Sequence, residues 1–283
     1  MLSLAHGGQP PEPNDLWAAW NLSLPLILGL TAAGLAYVRG RRAANRRSDT
    51  AIWRTCCFAA ALITIGIALV SPLNALSDAL ASAHMIQHVL LVLVAAPLLV
   101  LSAPSATLLR GTPSPLHRAL GPWRGRLGQM WRRLPMLSNA ATLWLLHTGT
   151  LWFWHAALPY ERALNNEIVH VTEHVTFLVT ALLFWHIVIG VRAEERVPQG
   201  LGAMLVFAMA LQSGFLSLLL TFARTPWYSA YATTTRAWGL EPLADQQLAG
   251  VIMWIPAGLL YLGVALTLFL SWVRNSEPED VPA

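Results

Sequence analysis

The sequence predicts an all-α, polytopic membrane protein, a bundle of about seven transmembrane helices with its N-terminus outside. Three observations carry that expectation. Of the 283 residues, 55% are hydrophobic and only 11% charged, whereas soluble domains carry roughly 25% charged residues. Apolar runs of spanning length recur along the whole chain, each near the 20 residues or so that a bilayer-crossing helix needs. Every one of the 18 basic residues is arginine, and the arginines gather in alternate loops.

The runs lie at about 19–38, 52–70, 84–101, 138–156, 168–190, 201–222 and 250–272. No internal repeat or low-complexity segment divides them, so residues 1–283 are expected to form one membrane-embedded bundle. The leading segment, MLSLAHGGQPPEPNDLWAAW, has no basic n-region, and no cleaved signal peptide is expected. After the first run come Arg39, Arg41, Arg42, Arg46, Arg47 and Arg54. After the third come Arg110, Arg118, Arg124, Arg126, Arg132 and Arg133; Arg192 and Arg196 follow the fifth, and Arg274 the seventh. That places 15 arginines on one side, against Arg162, Arg224 and Arg236 on the other. Arginine-rich loops stay in the cytoplasm, so the N-terminus is expected outside and the C-terminus inside. The same clustering in loops between apolar runs argues against nucleic acid as a partner.

The inner loop 102–137 contains PLHRALGPWRGRLGQMWRRL, with Leu116, Leu120, Trp123, Leu127, Met130 and Leu134 at three- and four-residue steps among arginines. It reads as an interfacial helix lying on anionic membrane lipid, with Gly121-Pro122 as a candidate break. The outer loop 223–249 carries Trp227, Tyr228, Tyr231 and Trp238, which suit either an aromatic belt at the membrane surface or a cover over an outer site. The tail, 275–283, is short and acidic, and is expected to be disordered. Cys56 and Cys57, the only cysteines, form neither a disulfide framework nor a CxxC motif and are read as packing.

The arginine-derived orientation sorts the polar residues. His84 and His88 open the third run, His155 ends the fourth, and His170 and His174 open the fifth, all at the outer end. His84 and His88 are four apart, as are His170 and His174, so each pair shares a helix face one turn apart. Asp245, Gln246 and Gln247 precede the seventh run, and Met253 lies just inside it. Ionisable groups within a span are costly and suggest function by default. An isolated histidine at a span end is commonly structural, and His6, His117 and His186 are read that way. His147, eight residues before His155, lies about 12 Å deeper at 1.5 Å per residue and fits a relay, a supporting partner or a buried structural group equally well.

Imidazole suits copper, zinc, iron and nickel, and thioether sulfur selects copper(I). Met85 and Met253 lie at the histidine level and tilt the choice to copper. Met85 is about 100° from His84 around the helix, so it joins the site only if that face turns to the bundle centre. The candidate metal set is His84, His88, His155, His170, His174, Met85, Met253 and Asp245; Glu173 and Asp245 are also placed to orient ring nitrogens. A b-type haem, a proton or metal relay for transport, and zinc hydrolysis are the other classes. The histidines hug one edge, no other ionisable residue falls mid-span, and HEXXH is absent.

Three stretches carry a family resemblance: SPLNALSDALASAHMIQHVLLVLVAAPLLVLSAP (71–104), LWFWHAALPYERALNNEIVHVTEHVTFLVTALLFW (151–185) and PWYSAYATTTRAWGLEPLADQQLAGVIMWIPAG (226–258). With these the chain resembles the CtaG family of cytochrome c oxidase assembly proteins, associated with caa-type oxidases. It does not look like the unrelated single-span copper chaperone that shares the family's name. The resemblance implies a multi-pass protein of the bacterial inner or plasma membrane that is needed for active oxidase, is not an enzyme, and works with oxidase subunits and a copper carrier outside the cytoplasm. The expected function is therefore an assembly factor that binds copper at the outer face and delivers it to the oxidase. Copper uptake and b-type haem binding are the alternatives.

Overall fold

The computed structural model describes residues 11–44, 49–133 and 139–276, and these are helical throughout with short connections. The helices are α1 (Leu24–Ala44), α2 (Asp49–Leu69), α3 (Pro72–Leu76), α4 (Ala81–Val89), α5 (Ala96–Ser102), α6 (Ser105–Gly111) and α7 (Ser114–Arg133). They continue as α8 (Ala140–His155), α9 (Ala157–Asn165), α10 (Glu167–Ile189), α11 (Gln199–Thr221) and α12 (Pro242–Ser276). A π-helical turn, Leu90–Ala95, joins α4 to α5 without interruption. Among the described residues, five helices are long and apolar enough to cross a membrane: Ala51–Leu69, Ala81–Ser102, Glu167–Ile189, Gln199–Thr221 and Pro242–Ser276. The protein is a multi-pass membrane protein. The other two expected spans coincide with α1, whose last turns carry Arg39, Arg41 and Arg42, and with α8, which has 16 residues.

Two sequence boundaries shift. The seventh span starts at Pro242 rather than 250, so the end of the expected outer loop is the first two turns of α12. The inner loop holds two helices, and α7 runs through Gly121-Pro122 instead of breaking there. Proline within a helix removes one N–H bond and strains the turn before it, but the flanking residues sustain this amphipathic helix. Its Leu116 and Trp123 are exposed, and the Arg126 guanidinium lies 5.7 Å over the Trp123 ring. His6 and residues 277–283 of the tail lie outside the described residues, whereas Asn275 and Ser276 are the end of α12.

The core is built from α4, the π turn, α5, α8, α10, α11 and α12. The α10 helix packs on α8, α5 and the π turn, while α12 packs along α11 and across α4. Glycine sets the closest approach at both ends. A Cβ on Gly40 would collide with the Thr107 carbonyl, which seats α6 against α1. One on Gly250 would stand 2.8 Å from Thr221 N and 2.9 Å from Ser217 O, so the N-terminal part of α12 lies directly on α11.

The π turn follows His88 by two residues. Pro97 has no N–H to return to the carbonyl four residues earlier, and the wider turn accommodates that loss. The Trp185 indole N–H donates to Val92 O at 3.0 Å, which ties α10 to the turn. Single π turns in α-helices occur frequently at functional sites. This one rotates α5 relative to the histidine face of α4.

Candidate metal centre

The site begins with the start of α4. Leu80, at its N-cap, offers no side-chain acceptor, and the first N–H groups of a helix have no partner within it. Asp245, on the first turns of α12, supplies one across the bundle. Its carboxylate accepts from Ala81 N at 2.6 Å, Ser82 N at 3.2 Å and Ser82 Oγ at 2.5 Å. A carboxylate at a helix N-terminus also opposes the helix dipole favourably. Asp245 thus fixes the register of α4 against α12. Both its oxygens are used at that cap rather than at a histidine ring, which differs from the expected ligand or ring-orienting place.

One turn into α4, His84 and His88 present their Nε2 atoms 3.0 Å apart. The opposing helix, α10, is started by Asn166, whose side chain accepts from Val169 N at 3.1 Å. That start puts His170, Glu173 and His174 one to two turns in. Glu173 reaches between the α4 histidines, with Oε2 3.4 Å from His84 Nε2 and Oε1 3.5 Å from His88 Nε2. Ring centroids are 5.2 Å apart for His84 and His170, 5.4 Å for His88 and His174, and 4.4 Å for His170 and His174. His84, His88 and His174 each offer a nitrogen within 4.8 Å of the other two, and so do His84, His170 and a Glu173 oxygen.

His155, the last residue of α8, closes a third side. Its Nδ1 lies 2.7 Å from Leu151 O, and a carbonyl can only accept, so Nδ1 carries the proton. The Nε2 lone pair is left to face Met85 Sδ at 3.3 Å. Met85, His88, His155 and Met253 border a cavity of about 30 Å³. That is enough for one water or ion.

The group is largely buried, yet several of its polar atoms are not paired. His88 Nδ1, His170 Nε2, His174 Nε2 and both Glu173 oxygens have no hydrogen-bond partner. Buried polar atoms are nearly always satisfied, and a specific exception points to function or to an ion. An imidazole and carboxylate set with open lone pairs on three helices fits a metal cation. A cation would meet those lone pairs and pair with the Glu173 carboxylate.

The loop between α11 and α12 and the short α9 cover the site. Tyr160, in α9, stacks on Tyr228 at 3.8 Å between ring centroids, and the Tyr160 ring lies 5.0 Å from that of His84. The Tyr231 hydroxyl donates to Ser77 O at 2.8 Å, and the Tyr228 hydroxyl to His155 O at 2.9 Å. Burial, followed by neighbouring phenols for Tyr160, pushes all three hydroxyls above the ordinary tyrosine range, so they remain neutral. The Ser229 N–H and hydroxyl both donate to Glu161, at 2.7 and 2.5 Å, and latch the loop to α9. Of the two readings of the loop aromatics, Tyr228 and Tyr231 are a cover, fully buried; Trp227 and Trp238 are partly buried.

The structure therefore brings His84, His88, His155, His170, His174, Met85 and Met253 to one place and assigns Asp245 to the helix cap. Glu173 stands at the centre of the histidines, a closer position than the sequence suggested. Tyr160 was not anticipated, because α9 is too short to stand out as an apolar run. His147 lies deeper, with Nδ1 3.0 Å from Thr180 Oγ1 and Nε2 buried without a partner. His117 and His186 are exposed side chains.

Comparison with known proteins agrees with the resemblance. Two relatives match at 26% identity over 94% of this chain: the uncharacterized proteins Mb0105 of Mycobacterium bovis and MT0111 of Mycobacterium tuberculosis. The chain spans only 41% of the length of each. No solved structure matches. Residues 35–275, which include every helix that lines the histidine cluster, match the family described as cytochrome c oxidase caa3 assembly factor, and the chain belongs to that family.

Proposed function

We propose that this protein binds copper(I) at the histidine cluster on the outer face of the bacterial plasma membrane and delivers it to cytochrome c oxidase during assembly. The observation that carries the reading is a largely buried cluster of five imidazoles and Glu173, in which three ring nitrogens and both carboxyl oxygens have no hydrogen-bond partner, found in a member of an oxidase assembly family. In this reading α1 and α8 complete seven spans, the arginine-rich loops face the cytoplasm, and the N-terminus is outside. Copper is cargo, and the protein is not an enzyme. Ligands without thiolate suit metal held outside the cytoplasm, where thiols oxidise, and metal that must be released again.

Haem fits the site less well. Ring centroids separated by 4.4 to 5.9 Å among His84, His88, His170 and His174 leave no slot for a porphyrin between facing imidazoles. The cover points to donation through docking, since Tyr228, Tyr231 and α9 must move before an ion can leave. The partners in this reading are oxidase subunits and a copper carrier outside the cytoplasm.

The test is a strain lacking the protein, with oxidase copper and cytoplasmic copper measured together. Oxidase polypeptides should be present but copper-deficient and inactive, with partial rescue by excess external copper and no change in cytoplasmic copper. A fall in cytoplasmic copper with a fully active oxidase would replace assembly with uptake.

A further inference from the structure

We propose that the cluster holds two copper(I) positions rather than one, meeting at His88: an imidazole–carboxylate position and a thioether–imidazole position beneath it. This rests on the copper reading above and divides its site by chemistry. The first position is formed by His84, His88, His170, Glu173 and His174, the second by Met85, Met253, His155 and the adjoining edge of His88.

The division follows from α4. His84 and His88 lie on one face, and their Nε2 atoms turn to Glu173 of α10. Met85 is about 100° around the helix and turns instead to His155 of α8, with its sulfur 3.3 Å from His155 Nε2. Two faces of one helix thus offer donors to two partner helices. The donor count agrees. The two groups together hold eight donor side chains, twice the four ligands of a tetrahedral site.

Each group has spacings that one ion can span. Nitrogens 3.0 Å apart, as in His84 and His88, subtend roughly 100° at an ion about 2.0 Å from each. A nitrogen and a sulfur 3.3 Å apart, as in His155 and Met85, subtend roughly 100° at bond lengths of about 2.0 and 2.3 Å. The proton on His155 Nδ1 is committed to Leu151 O, so its Nε2 presents a lone pair towards a sulfur that also only donates electrons. Two such donors face to face, beside a cavity of about 30 Å³ that Met253 also lines, form a built pocket for a soft cation. His88 borders that cavity, while its Nε2 belongs to the upper group and its Nδ1 is buried without a partner. A neutral imidazole has one lone pair, so His88 serves one position at a time and can switch by exchanging its tautomer.

The two positions differ in selectivity. Imidazole and carboxylate accept zinc(II) as well as copper, whereas thioether sulfur selects copper(I). The full-length protein in detergent, titrated anaerobically with copper(I) against a chromophoric chelator, should take two ions per chain, and with zinc(II) only one. X-ray absorption of the wild type should show sulfur scatterers at about 2.3 Å. Met85→Leu combined with Met253→Leu, a volume-conserving change, should lose one copper(I) and the sulfur signal and keep the zinc(II). A single copper(I) per chain, with or without sulfur scatterers, overturns the two-position inference and leaves copper binding intact. No copper at all in the wild type overturns the copper reading itself.

Discussion

Two buried polar clusters sit a turn apart at the N-terminal end of α4, and they are built on opposite terms. Around Asp245 the accounts close: both carboxylate oxygens receive hydrogen from α4. Around Glu173 they do not: both oxygens and three imidazole nitrogens are without partners at comparable burial. The two carboxylates are fully buried alike, so burial alone does not separate them. What separates them is whether the protein supplies the hydrogen. A cluster that the chain satisfies by itself holds helices in register; a cluster left open is stable only if something else completes it. In the proposed reading, the open one is where the ligand binds.

The comparison breaks most decisively at the open cluster. Ligands of one metal act as a unit and are strongly non-additive. His84→Ala should therefore remove most of the copper bound at the upper position, and His84→Ala with His170→Ala should remove little more. His117→Ala, at an exposed residue, should remove none. Glu173→Gln should lower metal affinity by roughly 10- to 100-fold, the range for groups that tune a metal site. It should leave the stability of the metal-free protein nearly unchanged, because the amide keeps the shape of the side chain and neither Glu173 oxygen has a hydrogen bond to lose. Equal, independent partial losses from each histidine would show that these rings do not share an ion.

At the closed cluster the same kind of substitution should do the reverse. Asp245→Ala strips the acceptor from two buried N–H groups and a hydroxyl, each orphaned donor costing about 1–3 kcal/mol. Thermal unfolding in detergent should show destabilisation of at least about 3 kcal/mol, the low end of that range for three donors, while any protein that remains folded should still bind copper. If Asp245→Ala removed copper without affecting stability, the roles assigned to the two carboxylates would be exchanged.

Most of the architecture was legible because a bilayer is a demanding solvent. Every span must be apolar for some 20 residues, so α2, the continuous α4–α5 stretch, α10, α11 and α12 stand out in the sequence. The histidines were legible for the same reason: His84, His88, His170 and His174 are costly in such runs and fall on single helix faces. What the sequence did not reveal depends on contacts between distant segments. Asp245 and Glu173 look alike as acidic residues near span ends, and only the docking of α12 against α4 decides that one caps and the other is left open. Likewise α9 is a short amphipathic helix whose Tyr160 acquires its place from Tyr228 and Tyr231, some 70 residues away.

The smallest expected effect lies where the clusters meet the cover. Tyr231 is the link between them: its hydroxyl donates to Ser77 O, just before α4 begins, and stands 3.5 Å from His84 Nδ1 and 3.3 Å from the Tyr160 hydroxyl. Tyr231→Phe keeps the ring and its packing and removes the hydroxyl, whose shortest hydrogen bond, to Ser77 O, is worth about 1 kcal/mol. Stability should fall by about that amount. Copper stoichiometry should not change, because no ligand is lost. The rate at which bound copper passes to a chelator should rise, since the outer loop would then be held to the bundle by one contact fewer while the Ser229 to Glu161 latch remains. Glu161→Gln, which weakens that latch, should raise the rate further in the same direction. If neither substitution changes the release rate while both lower stability, the tyrosines pack over the site without controlling passage through it, and the exit for the ion must be sought between α8 and α10 instead.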